Sequence, residues 1–237
     1  MRLDKLISSC GMASRTEISK AASSGQITVD GKVVTKPAQH VDPAVNKVVF
    51  KGEEVVYREF HYIMLNKPVG YVCSTDDPRE RTVLELLPER LRKLDLFPCG
   101  RLDKDTVGLV ILTNNGQLAH RMLSPKRHVA KLYSFRSEKP LSDADIALLE
   151  SGVDIGEDKL TKPSKVVITD AAVNAGTIEL TEGKYHQIKR MLEAVGNRIV
   201  FLERIDFAGV LLDRSLERGE WRYLNSDEEA KLEAHSL

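Results

Sequence analysis

The longest apolar run of this 237-residue chain is GLVILT, residues 108–113, and it limits what the chain can fold into. Six residues are far too few to cross a bilayer, and Leu, Val and Ile side chains in succession are typical of a strand buried on both faces. The run follows the polar turn CGRLDKDT, residues 99–106, which places Asp103 and Asp105 just before the strand. The sequence therefore predicts a buried strand with two carboxylates at its mouth.

The composition is that of a folded protein. Hydrophobic residues make up 42% of the chain and charged residues 30%, which is enough to build a core and excludes a disordered or membrane-embedded chain. The N-terminal residues MRLDKLISSC contain no extended apolar stretch, so we expect no secretion signal. Cys10, Cys73 and Cys99 have no metal-ligand spacing, and a reduced, cytoplasmic protein is expected.

The charge is balanced in total but unevenly distributed. The chain has 35 basic and 35 acidic residues, and a net charge of zero argues only weakly against a nucleic-acid partner. Residues 106–137 contain five Lys or Arg and no acidic residue, whereas 141–180 contain eight acidic residues and three lysines. Segregated charge can give a neutral protein one positive face for phosphate. The alternative is that these runs are ordinary solvated surface.

Residues 1–60 have the pattern of a small separate module. An amphipathic helix is expected over 2–10, and the sequence SRTE, with Ser14 and Glu17, is a capping box that begins a second helix. ITVDGKVV, residues 27–34, predicts a hairpin about its Asp-Gly pair, and NKVVFKG adds a strand. The stripe expected to face inward consists of Leu3, Leu6, Ile7 and Cys10. The polar helix faces carry Arg2, Lys5, Arg15 and Lys20.

Residues 61–237 alternate strands and helices without a regular repeat. The predicted strands are 62–68, 71–75, 108–113, 130–137, 165–170, 177–183, 198–205 and 221–224. The predicted helices are 82–94, 116–124, 142–152 and 184–197. Because the order is irregular, we expect an α+β fold in which helices pack on a mixed, largely antiparallel sheet.

Three short segments contain candidate site residues. Asp103 lies just before a predicted strand, where its carboxylate can either project into a cleft or make hydrogen bonds within the turn. The turn role suits Asp105 better. In EGKYHQIKRM, residues 182–191, Lys189 lies at the border of an apolar helix stripe. Its ammonium either meets a carboxylate or extends along the core edge to water. Lys184 and Arg190 are better placed for phosphate, with Arg190 expected to face solvent.

Tyr133 is the third candidate. In HVAKLYSFRS, residues 128–137, Lys131, Tyr133 and Phe135 alternate and share one face of a strand. The tyrosine could belong to the core with its hydroxyl at the rim, or form a flat platform on which a base stacks. The residues alone do not decide between these two interpretations.

Four segments in order resemble a known family. MLNKPVGYVCST, GRLDKDTVGLVILTNNG, KLY and EGKYHQIKRM resemble the RsuA/RluB/RluE/RluF family of ribosomal RNA pseudouridine synthases. Residues 1–60 resemble the S4 RNA-binding domain that precedes the catalytic domain, 61–237, in that family. The resemblance implies that Asp103 is the catalytic aspartate, that Tyr133 stacks near the target base and that Lys189 pairs with the aspartate. Leu202 and Arg204 fit a looser, later motif.

The resemblance also implies the reaction and its partners. The enzyme would convert a specific uridine of 16S, small-subunit ribosomal RNA, free or in an assembly intermediate, to pseudouridine. It would do so as a monomer, with no cofactor, metal or membrane. The residues implied in RNA binding are Arg2, Lys5, Arg15, Lys20, Arg101, Arg121, Lys126, Arg127, Lys184 and Arg190.

Three alternative functions and some departures from the family pattern remain. The alternatives are a synthase acting on large-subunit RNA, a non-catalytic RNA-binding factor in ribosome assembly, and a protein-interaction role without RNA. Val107 replaces a polar residue expected after Asp-Thr, and RIDFAG, residues 204–209, is a weak match. Ser23 and Ser24 lie where S4 domains are often basic. None of these positions belongs to the three residues implied in catalysis.

Overall fold

The chain forms two compact units. The computed structural model describes residues 1–124, 127 and 129–234. The first unit consists of Met1–His61 with Leu87–Leu96, and the second consists of Tyr62–Leu86 with the described residues from Phe97 onward. The division of the chain into domains at residues 1–60 and 61–237 stays a prediction, and residues 87–96 add a segment to the first unit that the sequence did not indicate.

Three helices belong to the first unit. They are α1 (Leu3–Ser9), α2 (Arg15–Ser23) and α3 (Glu89–Arg92). The capping box is confirmed, because the Ser14 side chain accepts a hydrogen bond from the backbone N–H of Glu17 while the Glu17 carboxylate accepts one from the backbone N–H of Ser14. The predicted inward stripe is buried, at Leu3, Leu6, Ile7 and Cys10.

A four-stranded antiparallel sheet completes the first unit. Its strands are β1 (Ile27–Val29), β2 (Lys32–Val33), β3 (Val48–Phe50) and β4 (Glu53–Glu54), in the order β2-β1-β3-β4. Asp30 and Gly31 join β1 to β2 with φ values of 51° and 76°. Two successive positive φ angles are what a tight hairpin turn requires, so the predicted Asp-Gly hairpin is confirmed.

The second unit is built on a nine-stranded sheet. Its strands are β5 (Tyr62–Lys67), β6 (Phe97–Cys99), β7 (Val107–Thr113), β8 (Lys131–Ser137), β9 (Lys165–Asp170), β10 (Ala175–Leu180), β11 (Ile199–Phe207), β12 (Val210–Leu211) and β13 (Trp221–Tyr223). The order is β13-β5-β7-β11-β8-β10-β9, with β6 on β7 and β12 on β11. Among the described strands only β7 and β11 pair in parallel, which confirms the mixed, largely antiparallel sheet.

The apolar run is the buried strand that the sequence predicts. All seven residues of β7 are buried, and the strand lies between β5 and β11. Helices α4 (Gly116–Leu123) and α7 (Ser226–Ala234) contribute Leu118 and Leu232 to the core cluster that contains Leu109 and Ile111 of β7. Helices α5 (Asp143–Ser151) and α6 (Gln187–Ala194) complete the unit. No helix in the described ranges is long and apolar enough to span a bilayer.

Two predicted elements are wrong. Residues 71–75 form no strand, because the N–H of Val72 donates to Arg81 and its carbonyl accepts from Val83, so this segment pairs with the chain just beyond it rather than with the sheet. The helix expected over 82–94 is interrupted by Pro88, which has no N–H to continue a helix. It consists of a 3₁₀ turn over Val83–Leu86 and the short α3.

The close approach of β7 to β11 generates a prediction. Gly108 has a φ of 98°, and a Cβ there would lie 2.3 Å from the backbone carbonyl oxygen of Arg204. Gly108→Ala should lower the free energy of unfolding by about 2 kcal/mol or more, since a strained φ alone costs roughly 1–3 kcal/mol. Urea unfolding followed by circular dichroism measures this loss.

Gly116→Ala is the matched control. Gly116 begins α4, and a Cβ there would meet no heavy atom within 4 Å. Alanine is the better helix former, so this variant should be as stable as the wild type or slightly more stable. Equal stability of Gly108→Ala and Gly116→Ala would contradict the tight pairing of β7 and β11.

Candidate active site

A buried lysine fixes the loop that leads into β7. The Lys67 ammonium, at the end of β5, donates hydrogen bonds to the carbonyl oxygens of Thr106 at 2.7 Å, Asp103 at 3.0 Å, Pro68 at 3.2 Å and Lys104 at 3.3 Å. The Lys67 side chain is fully buried. One cation therefore satisfies the backbone of the turn and sets the position from which Asp103 projects.

Burial also changes the acidity of this lysine. Loss of water contact lowers the pKa of Lys67 to about 8, although Asp103 and Asp105 act in the opposite direction. The ammonium therefore remains the main form at neutral pH. A charged donor bonded to several carbonyls holds a loop more firmly than neutral hydrogen bonds would.

The structure brings Lys189 to the two aspartates. The Lys189 ammonium, on α6, lies 2.9 Å from Asp103 Oδ2 and 2.6 Å from Asp105 Oδ1. The Asp103 side chain is 28% exposed and that of Asp105 is 68% exposed, so Asp103 is the more enclosed carboxylate. Asp105, which the sequence suggested for shaping the loop, thus also binds the lysine of the distant helix.

This cluster of opposite charges favours the ionised forms. Burial lowers the pKa of Lys189, but the hydrogen bonds that its ammonium donates to both carboxylates outweigh burial and raise its pKa above the ordinary value. Burial likewise raises the pKa of Asp105, and the hydrogen bond and charge of Lys189 reverse that effect, so its pKa is lowered. Lys189 and Asp105 therefore stay charged across the neutral range.

Asp103 and Lys189 lie on a cleft of about 600 Å³ in the second unit. Strand pairing explains which residues form one wall of the cleft. Arg204 of β11 pairs with Gly108 of β7 on one side and with Tyr133 of β8 on the other. The three positions form one row across the sheet, next to the loop that carries Asp103. Tyr133 is 9% exposed and lines the cleft, so the chain places the three residues implied in catalysis around one cavity.

Two further cations line the same cleft. Arg204 is 1% exposed, donates from Nε to the Leu109 carbonyl at 2.8 Å, and lies 5.0 Å from the centre of the Phe207 ring. Its Nη2 has no hydrogen-bond partner among the described residues. The Lys131 ammonium donates to the Val129 carbonyl at 3.0 Å, and burial lowers the pKa of Lys131 to about 8. The sequence signal for this residue was the looser, later motif that contains Arg204 in β11.

His186 is a site residue that the sequence did not indicate. Its Nε2 lies 3.5 Å from Asp103 Oδ1, and its ring stacks on that of Tyr185 with the ring centres 3.8 Å apart. His186 has a φ of 50°, which is a left-handed backbone conformation and is incompatible with a right-handed α-helix. For this reason α6 begins at Gln187 rather than at residue 184, where the sequence predicts it.

The basic residues predicted to contact RNA differ in their surroundings. In the first unit Lys5, Arg15 and Lys20 are exposed on α1 and α2. The Arg2 guanidinium pairs with the carboxylate of Asp4 at 2.6 Å. The role of these side chains in RNA binding stays a prediction.

In the second unit only some of these residues border the cleft. Arg101 is exposed and lines it. Arg121 lies on α4 beside His120, in a separate shallow depression, and Arg127 is exposed. Lys126 lies outside the described residues.

Lys184 and Arg190 both bind Glu157. The Lys184 ammonium lies 3.3 Å from its carboxylate, and Arg190 Nη1 lies 2.8 Å from Oε1. Arg190 also donates to the carbonyls of Tyr185 and Ile155. The expectation that Arg190 faces solvent is therefore wrong, because α6 lies against a segment whose carboxylate and carbonyls accept its hydrogen bonds.

Comparison with known proteins agrees with this architecture. Residues 61–194 match the family model described as RNA pseudouridylate synthase, and residues 1–46 match the S4 domain. The chain belongs to the RNA pseudouridylate synthase family. It is therefore an isomerase with an N-terminal S4 domain, and the resemblance carried by its four sequence segments is confirmed.

Relatives of this synthase match it over nearly their whole length. An uncharacterized RNA pseudouridine synthase of Bacillus subtilis is 46% identical, and the match covers 96% of each chain. Ribosomal small subunit pseudouridine synthase A of Escherichia coli is 41% identical, over 98% of this chain and 100% of the relative. A crystal structure of a pseudouridylate synthase superposes with a TM-score of 0.69 at 37% identity, over 98% of this chain and 99% of the other.

The buried charge of Lys131 gives a pH prediction for this synthase. Its folded pKa of about 8 lies below the ordinary value of 10.5, so the unfolded chain binds more protons between these pH values. The contribution of Lys131 to the unfolding free energy therefore rises with pH in that window, by at most ~1.4 kcal/mol per pH unit. Lys131→Met should be more stable than the wild type at pH 7.

That advantage should shrink as the pH rises from 8 to 10, because the folded lysine becomes neutral there while the unfolded chain still binds the proton. Urea unfolding of both proteins at pH 7, 8, 9 and 10 measures the difference. A difference that is the same at every pH would contradict a buried, charged Lys131.

Proposed function

We propose that this synthase converts a specific uridine of small-subunit ribosomal RNA to pseudouridine, with Asp103 as its catalytic carboxylate. The observation that supports this proposal most is the position of Asp103. Its carboxylate lines the cleft, 2.9 Å from the Lys189 ammonium, in a loop held by the buried Lys67. A preorganised charge of this kind stabilises charge that develops during a reaction.

The reaction rearranges the target nucleotide without adding or removing a group. The N1–C1′ bond of uridine breaks, the uracil turns while it is held, and C5 bonds to C1′. The hydrogen on C5 leaves as a proton, and N1 ends with a proton in its place, so atoms and charge balance. An ionised Asp103 can attack C1′, stabilise positive charge that develops there, or accept a proton.

Each of these roles requires a carboxylate that stays ionised in an enclosed cleft. Taking an isolated carboxylate out of water disfavours its charged form. The Lys189 ammonium compensates for this loss of solvation, and Asp105 holds the ammonium from the more exposed side at 2.6 Å. Lys189 thus acts as a fixed counter-charge that holds the Asp103 carboxylate in place.

Tyr133 suits the binding of the extruded base. An enzyme that acts on a base within folded RNA has to remove it from its stack, at a cost of a few kcal/mol. The Tyr133 ring lines the cleft and is otherwise buried, so it can stack on uracil and recover roughly 1–3 kcal/mol. Arg204, with one nitrogen that has no partner among the described residues, lies at the same wall.

The choice of RNA rests on the named relatives. Ribosomal small subunit pseudouridine synthase A of Escherichia coli shares 41% identity over 98% of this chain and 100% of the relative. The S4 domain, with the exposed Lys5, Arg15 and Lys20, would add phosphate contacts. Small-subunit RNA is therefore the substrate that we propose.

Release of tritium from the C5 position of uracil tests the proposal directly. Ribosomal RNA labelled at that position would be incubated with the wild type, with Asp103→Asn and with Asp105→Asn. Small-subunit RNA is tested as free RNA and as a partly assembled particle. We expect release by the wild type and a loss of about 1000-fold or more in Asp103→Asn, because the reacting carboxylate is gone.

Asp105→Asn is the matched control. It removes an equal charge from the same ammonium, but from a more exposed carboxylate that does not react, so a loss below about 10-fold is expected. Equal losses in both variants would contradict a distinct role for Asp103. Reaction of large-subunit RNA alone would refute the substrate, and tight binding with no release from any RNA would favour a non-catalytic assembly factor.

A further inference from the structure

An exposed aromatic pair borders the cleft at the loop between β10 and α6. Tyr185 is 74% exposed and is the most exposed aromatic side chain in the described part of the chain. Its ring stacks on His186 with the centres 3.8 Å apart and the planes 18° apart. His186 in turn lies 3.5 Å from Asp103. The pair therefore extends from the proposed catalytic carboxylate to the solvent-exposed rim of the cleft. Because Tyr185 is exposed, core packing does not account for an aromatic residue at this position.

The loop that carries the pair is fixed by side-chain hydrogen bonds. The buried Gln187 accepts from the backbone N–H of Lys184 at 2.9 Å and donates to Glu182 at 2.7 Å. Arg190 donates to the carbonyl of Tyr185 at 3.1 Å. These hydrogen bonds stabilise the left-handed backbone of His186 and so fix the positions of the two rings.

The basic residues beside the pair are engaged within the protein. Lys184 and Arg190 share the carboxylate of Glu157, and the Lys184 ammonium also donates to the carbonyl of Lys159 at 3.0 Å. Both side chains are therefore hydrogen-bonded within the protein and anchor the loop, and one carboxylate offsets one of their two charges. What the rim offers a ligand is the aromatic pair, together with the exposed Arg101, which has no ion-pair partner among the described residues.

We propose that Tyr185, supported by His186, is a stacking platform for an unpaired base next to the target uridine. The proposal rests on the function proposed above, in which the cleft takes a uridine out of its stack. The neighbouring base then loses a stacking partner, and the platform lies on the rim of the same cleft. Aromatic stacking tolerates any base, so the platform contributes affinity more than sequence readout.

Substitutions of Tyr185 separate stacking from other roles. Tyr185→Ala should raise the RNA concentration for half-maximal tritium release about 10-fold, and lower the rate at saturating RNA by less than about 3-fold. Tyr185→Phe keeps the ring and should restore binding, whereas Tyr185→Leu keeps bulk without the ring and should not. Val173→Ala, at an exposed apolar side chain outside the cleft lining, is the control and should match the wild type.

A fluorescent ring reports stacking independently of catalysis. Tyr185→Trp in a Trp221→Phe background leaves one indole at the rim, and its emission should be quenched when small-subunit RNA binds. Unchanged half-saturation in Tyr185→Ala, or equal losses in the Ala and Phe variants, would overturn the platform. If the wild type releases no tritium from any RNA, the proposed function fails, and the presence or absence of quenching still decides the platform.

Discussion

The hydrogen bonding of one buried ammonium group underlies the arrangement of the active site. Lys67 ends the fully buried strand β5, and its charge is retained because four carbonyl oxygens of the chain around residues 68 and 103–106 surround it. A buried charge is costly unless it is fully hydrogen-bonded, so the lysine and the loop specify each other's position. The loop then enters β7, whose close pairing with β11 at Gly108 leaves little freedom.

The fixed loop determines where the other charged groups of the site lie. Asp103 and Asp105 project toward α6, and the Lys189 ammonium forms an ion pair with each of them. The row that joins Gly108, Arg204 and Tyr133 places a buried guanidinium and an aromatic ring on the cleft that Asp103 also lines. The cleft therefore combines fixed charges with the ring of Tyr133, which is what the proposed isomerisation of an extruded uridine requires.

Local patterns in the sequence predicted much of the fold. The apolar run of β7, the capping box at Ser14 and the Asp-Gly hairpin depend on neighbouring residues, and the structure confirms them. Contacts between residues far apart in the chain could not be predicted from such local patterns. The bonds of Arg190 to Glu157 and of Lys67 to the Asp103 loop join segments more than 30 residues apart, and the stacked Tyr185 and His186 depend on a left-handed backbone that no local pattern indicated.

Single-turnover tritium release by Lys67→Met tests most directly whether this ammonium positions the Asp103 carboxylate for the proposed reaction. The measurement uses saturating RNA at a temperature where circular dichroism shows the variant to be folded. We expect a folded protein whose rate is at least about 10-fold below that of the wild type, since a small displacement of a reacting group lowers the rate. A folded Lys67→Met variant with the wild-type rate would contradict a positioning role for Lys67.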